Sequence, residues 1–239
     1  MEKNKSKCRR GKQCLTRTPV GHYRTCAIVG NSGILLNSNC GNEIDCRDYV
    51  IRINMAPSKN YEKDVGTKTN MTFVNFSLAK SLLEKLSDNT TRDEVMESLS
   101  FLKHGVLSYV KLMPNSVKEA LRALDTSLAQ SNLNISVTYS LHNVPVKTTR
   151  LLHPTLIPGL KSPTSGLIAY ILGTTFCDVI TLYGFYPFAT DMRNRTLFYH
   201  YYDHVRVNHR NRHNFNIEYD FLTSLHNNGA LRLVSDICR

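Results

Sequence analysis

The chain has 239 residues, of which 41% are hydrophobic and 21% are charged, which is typical of one large folded domain and excludes a disordered chain. Its formal net charge of +11 would favour nucleic-acid binding, but residues 1–25 alone carry +7, so we expect a basic leader before a domain with little excess charge. No run of apolar residues is long enough to cross a bilayer, and the polar N-terminus is unlike a signal peptide.

The first elements predicted along the chain form a βαβ unit. Residues 25–30 are a short apolar run, rich in β-branched side chains, that ends on a glycine, which is typical of a buried parallel strand. Small polar residues follow at 31–33, where we expect a short helix, and residues 49–54 form a second strand. Such a turn exposes backbone N–H groups that can bind an anion such as phosphate, although a tight turn without a ligand has the same composition.

The remaining elements alternate between helix and strand. Residues 77–113 have a mostly helical composition, and residues 115–132 have the leucine spacing of an amphipathic helix. The sequence allows a strand at residues 137–146. Its pattern predicts a helix at residues 165–175 and another buried strand at residues 178–185. This alternation predicts a doubly wound α/β domain.

A second turn of small residues, Pro163-Thr-Ser-Gly166, precedes the helix predicted at 165–175. In a doubly wound sheet two such turns converge on one crevice, which suggests a nucleotide site. His200, His213 and Glu218 are the acid–base candidates, although an isolated histidine is more often structural. The sequence contains neither HExxH nor DxD, so a metal centre is not supported.

Seven cysteines leave two interpretations open. They contain no CxxC pair, so they are either reduced core thiols or disulfides formed in an oxidising compartment. Six N-x-Ser/Thr sequons favour the secretory interpretation. They lie at Asn4, Asn70, Asn75, Asn89, Asn134 and Asn194.

Four segments that follow one another along the chain combine these turns and acid–base candidates. They are the stretch from Cys26-Ala-Ile-Val-Gly-Asn-Ser-Gly33 to Tyr49-Val-Ile-Arg-Ile-Asn54, the stretch from Pro163-Thr-Ser-Gly166 to Leu182-Tyr-Gly-Phe-Tyr-Pro-Phe188, the tetrapeptide His200-Tyr-Tyr-Asp203, and the pair His213 and Glu218. In this order they resemble the motifs of the animal sialyltransferases (glycosyltransferase family 29), and especially those of the α2,8 subfamily. The C-terminal stretch 225–232 with Cys238 is also similar to that subfamily.

This resemblance implies an α/β fold, a single GT-A-like, Rossmann-related domain with a mostly parallel central sheet flanked by helices. That catalytic domain would span residues 26–239, with residues 1–25 as a leader or stem remnant. The implied reaction moves sialic acid from CMP-sialic acid to a sialylated glycolipid or glycoprotein through an α2,8 linkage, with inversion and without a metal or other cofactor. The implied location is the Golgi lumen, with membrane association only through an N-terminal anchor that this sequence does not contain.

The resemblance also assigns site residues. His213 would be the catalytic base, and His200 would hydrogen-bond the departing phosphate. The implied disulfides are Cys26–Cys177 and Cys40–Cys238. The residues implied to bind the donor are Asn31, Asn54, Thr164, Ser165, Gly166, Tyr186, Tyr199 and His200.

Two other activities stay open at this point. The chain can be an α2,3- or α2,6-sialyltransferase, against which Cys40 with Cys238 and the His200-Tyr-Tyr-Asp203 motif argue. It can also be a family member that binds CMP without transferring sialic acid, since Tyr186 stands where the family usually has tryptophan. A nucleic-acid-binding protein would use the leader and the basic run 204–213, but that run lacks a recognised motif.

Overall fold

The centre of the described part of the protein is a parallel β-sheet of seven strands in the order β5-β4-β3-β2-β1-β6-β7. The computed structural model describes residues 19–88, 90–109, 115–129, 131–139, 150, 152, 156–160, 162–207 and 213–238. Within that part every pair of adjacent strands is parallel. The strands are β1 Tyr23–Val29, β2 Tyr49–Ile53, β3 Met71–Phe73, β4 Val106–Tyr109, β5 Ser136–Tyr139, β6 Cys177–Tyr183 and β7 Arg232–Val234.

Helices cover both faces of the sheet. Within the described residues, no helix combines the length and the apolar character that a membrane span requires. The α-helices are α1 Gly41–Asp45, α2 Glu62–Val65, α3 Phe76–Ser87, α4 Arg92–Ser98, α5 Asn115–Ala129, α6 Ser165–Gly173 and α7 Phe215–Asn227, with short 3₁₀ turns at Gly33–Leu35 and Ser100–Leu102.

Successive residues of β1 alternate between two cores, because side chains of a strand point to opposite faces. Cys26 and Ile28 belong to the core that contains residues of α6 and α7. Ala27 and Val29 belong to the core that contains residues of α1 and α2. A third core lies between α3, α4, α5 and the strands beside them. Helices on both faces of a parallel sheet confirm the doubly wound α/β class.

The strand order reverses between β1 and β6. The chain winds outward from β1 to β5, and β6 then lies on the other side of β1. In such sheets ligands bind where the order reverses, outside the carboxyl ends of the two strands. The turns after β1 and β6 are in close contact there, because a Cβ atom on Gly30 would lie 2.5 Å from the carbonyl oxygen of Gly184. Glycine is therefore required at position 30.

The structure contains both disulfides that the family resemblance implied. Cys26–Cys177 joins β1 to β6, and Cys40–Cys238 joins the start of α1 to the C-terminal residues after β7. Among the described cysteines Cys46 is free and exposed. Cys8 and Cys14 lie outside the described residues.

Some element predictions were wrong or shifted. Residues 106–109, inside the stretch predicted as mostly helical, form β4, and β3 and β7 were not predicted at all. Strands of three or four residues are too short to show a period in the sequence. The helix expected after residue 31 is a single 3₁₀ turn at Gly33–Leu35. Of residues 137–146, only those up to 139 are described, and they belong to β5.

The domain boundary and the glycosylation sites stay predictions. β1 begins at Tyr23, three residues before the boundary expected at residue 26. Asn134 and Asn194 are exposed, whereas the side-chain oxygen of Asn70 accepts a hydrogen bond of 2.8 Å from the Val50 N–H. Asn4 and Asn89 lie outside the described residues.

Candidate active site

A cavity of about 490 Å³ opens at the carboxyl ends of β1 and β6, where the strand order reverses. Its wall contains all of the site residues that were predicted from the sequence. These are Asn31, Asn54, Thr164, Ser165, Gly166, Tyr186, Tyr199, His200 and His213. The structure therefore brings together segments that are more than a hundred residues apart in the chain, although their contacts with a ligand stay a prediction.

Two asparagines after β1 and β2 are held in place by backbone atoms. Asn31 donates through Nδ2 to the carbonyl oxygen of Ile53 at 3.2 Å. The Oδ1 atom of Asn54 accepts from the Asn75 N–H at 2.9 Å. Asn54 has a φ of 57°, a left-handed conformation that asparagine tolerates better than most residues. Its Nδ2 atom has no partner among the described residues and stays available to a ligand.

His213 stands just before α7 with one ring nitrogen fixed. Its Nδ1 atom lies 2.9 Å from the carbonyl oxygen of Ser162. A carbonyl only accepts, so Nδ1 carries the hydrogen, and the neutral ring presents the lone pair of Nε2. A histidine in this tautomer can take a proton from a hydroxyl group.

His200 is oriented by a carboxylate and an aromatic ring. Its Nδ1 atom donates to Oδ2 of Asp203 at 2.5 Å, and its ring stacks on Tyr202 at 4.9 Å with an interplanar angle of 8°. Burial alone raises the pKa of Asp203, but hydrogen bonds from His200 and from the Val205 N–H outweigh it and leave the pKa below its usual value. The contact with Asp203 fixes the orientation of the His200 ring, so that Nε2 is the nitrogen left for a ligand.

Glu218 lies in the first turn of α7 and occupies both hydrogen-bond donors of Thr164. The Thr164 N–H donates to Oε1 at 2.8 Å, and its hydroxyl donates to Oε2 at 2.5 Å. The Thr164 oxygen also accepts from the Leu167 N–H at 3.0 Å and so caps α6. The sequence did not indicate this link, because Thr164 and Glu218 are 54 residues apart.

The N-terminus of α6 presents two unoccupied amides. The N–H groups of Ser165 and Gly166 have no acceptor among the described residues, because they precede the first intrahelical bonds. A Cβ atom on Gly166 would lie 2.7 Å from the ring of Phe185, so glycine allows the start of α6 to lie close to Phe185. Free amides at a helix start favour an anion such as phosphate.

Aromatic rings form the opposite wall. Tyr186 is 8% exposed, and its ring meets Phe188 at 5.0 Å and Tyr219 at 5.6 Å in edge-to-face contacts. Tyr199 meets the ring of His200 at 4.4 Å. Tyr186 thus offers a ligand a small part of its surface, and Tyr199 contributes by supporting His200.

The wall also contains residues that sequence reasoning missed. Asn75 and Ser77 line the cavity at the start of α3, where the side chain of Asn75 accepts from the Leu78 N–H. Asn75 was predicted only as a glycosylation site; its position as a helix N-cap was the signal that could have placed it here. In the part of the chain that the structure describes, no three His, Cys, Asp or Glu residues are grouped to hold a metal ion.

Comparisons with known proteins show which family the chain resembles. The sequence model of glycosyltransferase family 29 (sialyltransferase) matches residues 4–230. An alpha-N-acetylneuraminide alpha-2,8-sialyltransferase of Xenopus laevis is 33% identical in an alignment of 231 residues that covers 90% of this chain and 59% of that protein. The chain thus spans about three fifths of the length of this relative.

Two solved structures of mammalian sialyltransferases share the fold. One is 23% identical with a TM-score of 0.59. The other, in complex with Gal-beta-1-3GalNAc-ortho-nitrophenol, is 24% identical with a TM-score of 0.58. Each match covers 90% of this chain and 70% of the solved chain.

Proposed function

The chain belongs to glycosyltransferase family 29, the sialyltransferases, and from that premise we propose that it transfers sialic acid from CMP-sialic acid to a sialylated glycan through an α2,8 linkage. The observation that carries the proposal is the joint position of His213 and His200 in one cavity with the free amides of Ser165 and Gly166. A base and an anion site in one cavity are what displacement of a phosphate requires.

The proposed step is a single displacement at the anomeric carbon of sialic acid. Nε2 of His213 takes the proton of the acceptor hydroxyl while the hydroxyl oxygen bonds to that carbon. The bond from this carbon to the phosphate oxygen breaks, and its electron pair leaves with CMP. His200 and the amides of α6 stabilise the negative charge on the leaving phosphate, and attack from the opposite face inverts the configuration.

We propose that the reaction needs no metal ion or other cofactor. Glu218 is the one carboxylate among the described residues of the cavity wall, and it is occupied by Thr164. The amides and histidines would perform the charge stabilisation that metal-dependent transferases obtain from a cation.

The α2,8 linkage and the Golgi lumen are the finer parts of the proposal. The linkage is supported by the Cys40–Cys238 disulfide, which the resemblance connects with the α2,8 subfamily, and by the printed name of the Xenopus relative. Disulfides persist in oxidising compartments, which supports a lumenal location.

The test is transfer from labelled CMP-sialic acid to matched pairs of acceptors that carry or lack a terminal sialic acid. We expect product only from the sialylated member of each pair, with the new linkage identified by mass spectrometry after methylation. Transfer to the unsialylated members instead would favour the α2,3 or α2,6 alternative, and CMP binding without any transfer would favour an inactive family member.

EDTA should leave the rate of transfer within about twofold of its original value. A loss of about tenfold that manganese or magnesium restores would contradict metal independence.

A further inference from the structure

Glu218 is a buried carboxylate that forms no ion pair with any residue the structure describes. It is 4% exposed, and burial raises its pKa to about 7, although the hydrogen bonds from Thr164 act in the opposite direction. No lysine, arginine or aspartate of the described chain lines the same cavity. The other titratable groups in the described wall are His200 after β6, His213 before α7, Tyr219 on α7, and Tyr186 and Tyr199 in the loops after β6.

In the state just described, Thr164 has no hydrogen left to donate to the donor phosphate. A threonine hydroxyl has one hydrogen and two acceptor sites. Here the hydrogen goes to Oε2 of Glu218, and one acceptor site takes the Leu167 N–H. The backbone N–H of Thr164 is also used, by Oε1 of Glu218. Thr164 therefore has no hydrogen to offer a ligand while Glu218 is ionised.

Protonation of Glu218 reverses one of these bonds. A neutral carboxyl group can donate from Oε2 to the second acceptor site of the Thr164 oxygen, at the same 2.5 Å contact. The hydroxyl hydrogen of Thr164 then turns away from Glu218 and becomes available to the cavity. The N–H of Thr164 still donates to Oε1, so the turn keeps its position.

We propose that Glu218 takes up one proton from solvent when the donor phosphate binds, and that this proton frees the Thr164 hydroxyl to donate to the phosphate. Glu218 is then a positioning residue that acts through Thr164. The inference rests on the proposed function, because the anion at the start of α6 is taken to be the donor phosphate. The Glu218 carboxylate gains an O–H bond, and the hydronium ion or buffer acid that supplies the proton loses one; no other bond forms or breaks.

The direction of the effect follows from charge. An anion that enters the cavity places a second negative charge near Glu218, and like charges in a poorly solvated site favour the neutral acid. Since the free carboxyl already titrates at about 7, a modest further rise makes it neutral at pH 8. His200 and His213 line the same cavity, so the experiment must separate proton uptake at Glu218 from uptake elsewhere in the protein.

The probe is CMP, and the measurement is isothermal titration calorimetry at pH 8 in two buffers of different ionisation enthalpy. We expect the wild-type protein to take up more than about half a proton beyond the uptake of the Glu218→Gln variant. The glutamine mimics the neutral acid, because Nε2 can donate to the Thr164 oxygen while Oε1 accepts its N–H. At pH 8 only about a tenth of wild-type Glu218 is neutral, so the variant should bind CMP about tenfold more tightly than wild type at that pH. At pH 6 most of wild-type Glu218 is neutral, so the two proteins should bind CMP about equally.

Two further variants make the outcome decisive. Asp220→Asn removes an exposed carboxylate from the same helix and should leave both affinity and proton uptake as in wild type. In a Thr164→Val background, Glu218→Gln should no longer tighten CMP binding, because no hydroxyl remains to be freed. Thermal unfolding of each variant confirms that it is folded.

Three results would overturn the inference. Equal proton uptake by wild type and a folded Glu218→Gln variant would show that Glu218 does not titrate with binding. Weaker CMP binding by that variant at pH 8 would show that the carboxylate itself is needed. A wild-type protein that binds no CMP would remove the proposed function and this inference together, whereas either of the other results leaves the proposed function standing.

Discussion

Glu218 and Glu43 are two largely buried glutamates at opposite faces of one sheet, and they differ in their partners. Glu43, on α1, accepts hydrogen bonds from the guanidinium groups of Arg47 and Arg232 and from the hydroxyl of Tyr183. Burial alone raises the pKa of Glu43, but these hydrogen bonds outweigh it and leave the pKa below its ordinary value. Among the described residues, only the neutral groups of Thr164 donate to Glu218, and burial raises its pKa to about 7.

Burial alone does not decide whether a carboxylate is charged. Positive partners hold Glu43 ionised and make it a fixed connection between α1, β6 and β7. Without such partners Glu218 can change its charge near neutral pH. The C-terminal segment from His213 to Arg232 connects the two regions, since α7 begins at the cavity and β7 supplies the arginine of the Glu43 cluster.

The largest effect should come from removing the proposed base, His213, at the cavity end of this segment. His213→Ala should lower kcat by about 10²–10⁴ and leave the affinity for CMP nearly unchanged, because the proposed base would act only in the transition state. His226→Ala is the matched control at the far end of α7, where Nδ1 also lies near a backbone carbonyl, that of Leu231. Steady-state kinetics and CMP titration check both variants. If His226→Ala is as inactive as His213→Ala, the cavity is not where the chemistry occurs.

The second effect is on the pH dependence of the free energy of unfolding, to which Glu218 and Glu43 should contribute with opposite signs. Between about pH 4.5 and 7 the folded protein binds more protons at Glu218 than the unfolded chain does. The free energy of unfolding should therefore fall as pH rises through that interval, by up to about 1.4 kcal/mol per pH unit, and level off above it. Glu43, with its lowered pKa, contributes stability above its unfolded pKa that is lost as pH falls through its folded pKa.

Urea unfolding of wild type and Glu218→Gln at several pH values measures this slope. The variant should be more stable than wild type at pH 8, by up to about 3 kcal/mol, and should lack the Glu218 contribution to the slope. Parallel curves for the two proteins across the interval would mean that Glu218 does not titrate there.

The smallest effect should come from Glu43→Gln, which leaves Arg47 and Arg232 without their charged partner. We expect a loss of about 2 kcal/mol in the free energy of unfolding, with kcat unchanged, because hydrogen bonds to charged groups are lost and Arg232 can turn to solvent. Glu84→Gln breaks an exposed pair with Lys80 and should cost less than about 0.5 kcal/mol. Equal losses for the two variants would show that the Glu43 cluster is no stronger than a surface pair.

Much of the fold was predictable because β1, β2 and β6 are apolar runs of five to seven residues flanked by turn residues. β3 and β7 have three residues each, and nothing in so short a run distinguishes a strand from a loop. Their place in the sheet is set by pairing with longer neighbours, which is a tertiary effect.

The site was predictable as a set of residues but not as a set of interactions. The turns at 30–33 and 163–166 and the two histidines carry the family pattern, and all contribute to the cavity wall. The bond between Thr164 and Glu218 could not be read from the sequence, because it depends on how α6 and α7 pack together. The same holds for the raised pKa of Glu218, which depends on burial and on the lack of a nearby cation.

The reversal of strand order at β1 and β6 also determines when the site can exist during folding. Ser32, after β1, donates to the carbonyl oxygen of Tyr186, after β6, across 154 residues of chain. Closing so long a loop costs entropy before any contact compensates for it, and pairings of this kind slow folding. The Cys26–Cys177 disulfide joins the same two strands, so its oxidation preserves the pairing once it has formed. A chain still being synthesised cannot assemble the cavity until β6 and α7 have been made, so a ligand can bind there only after that point.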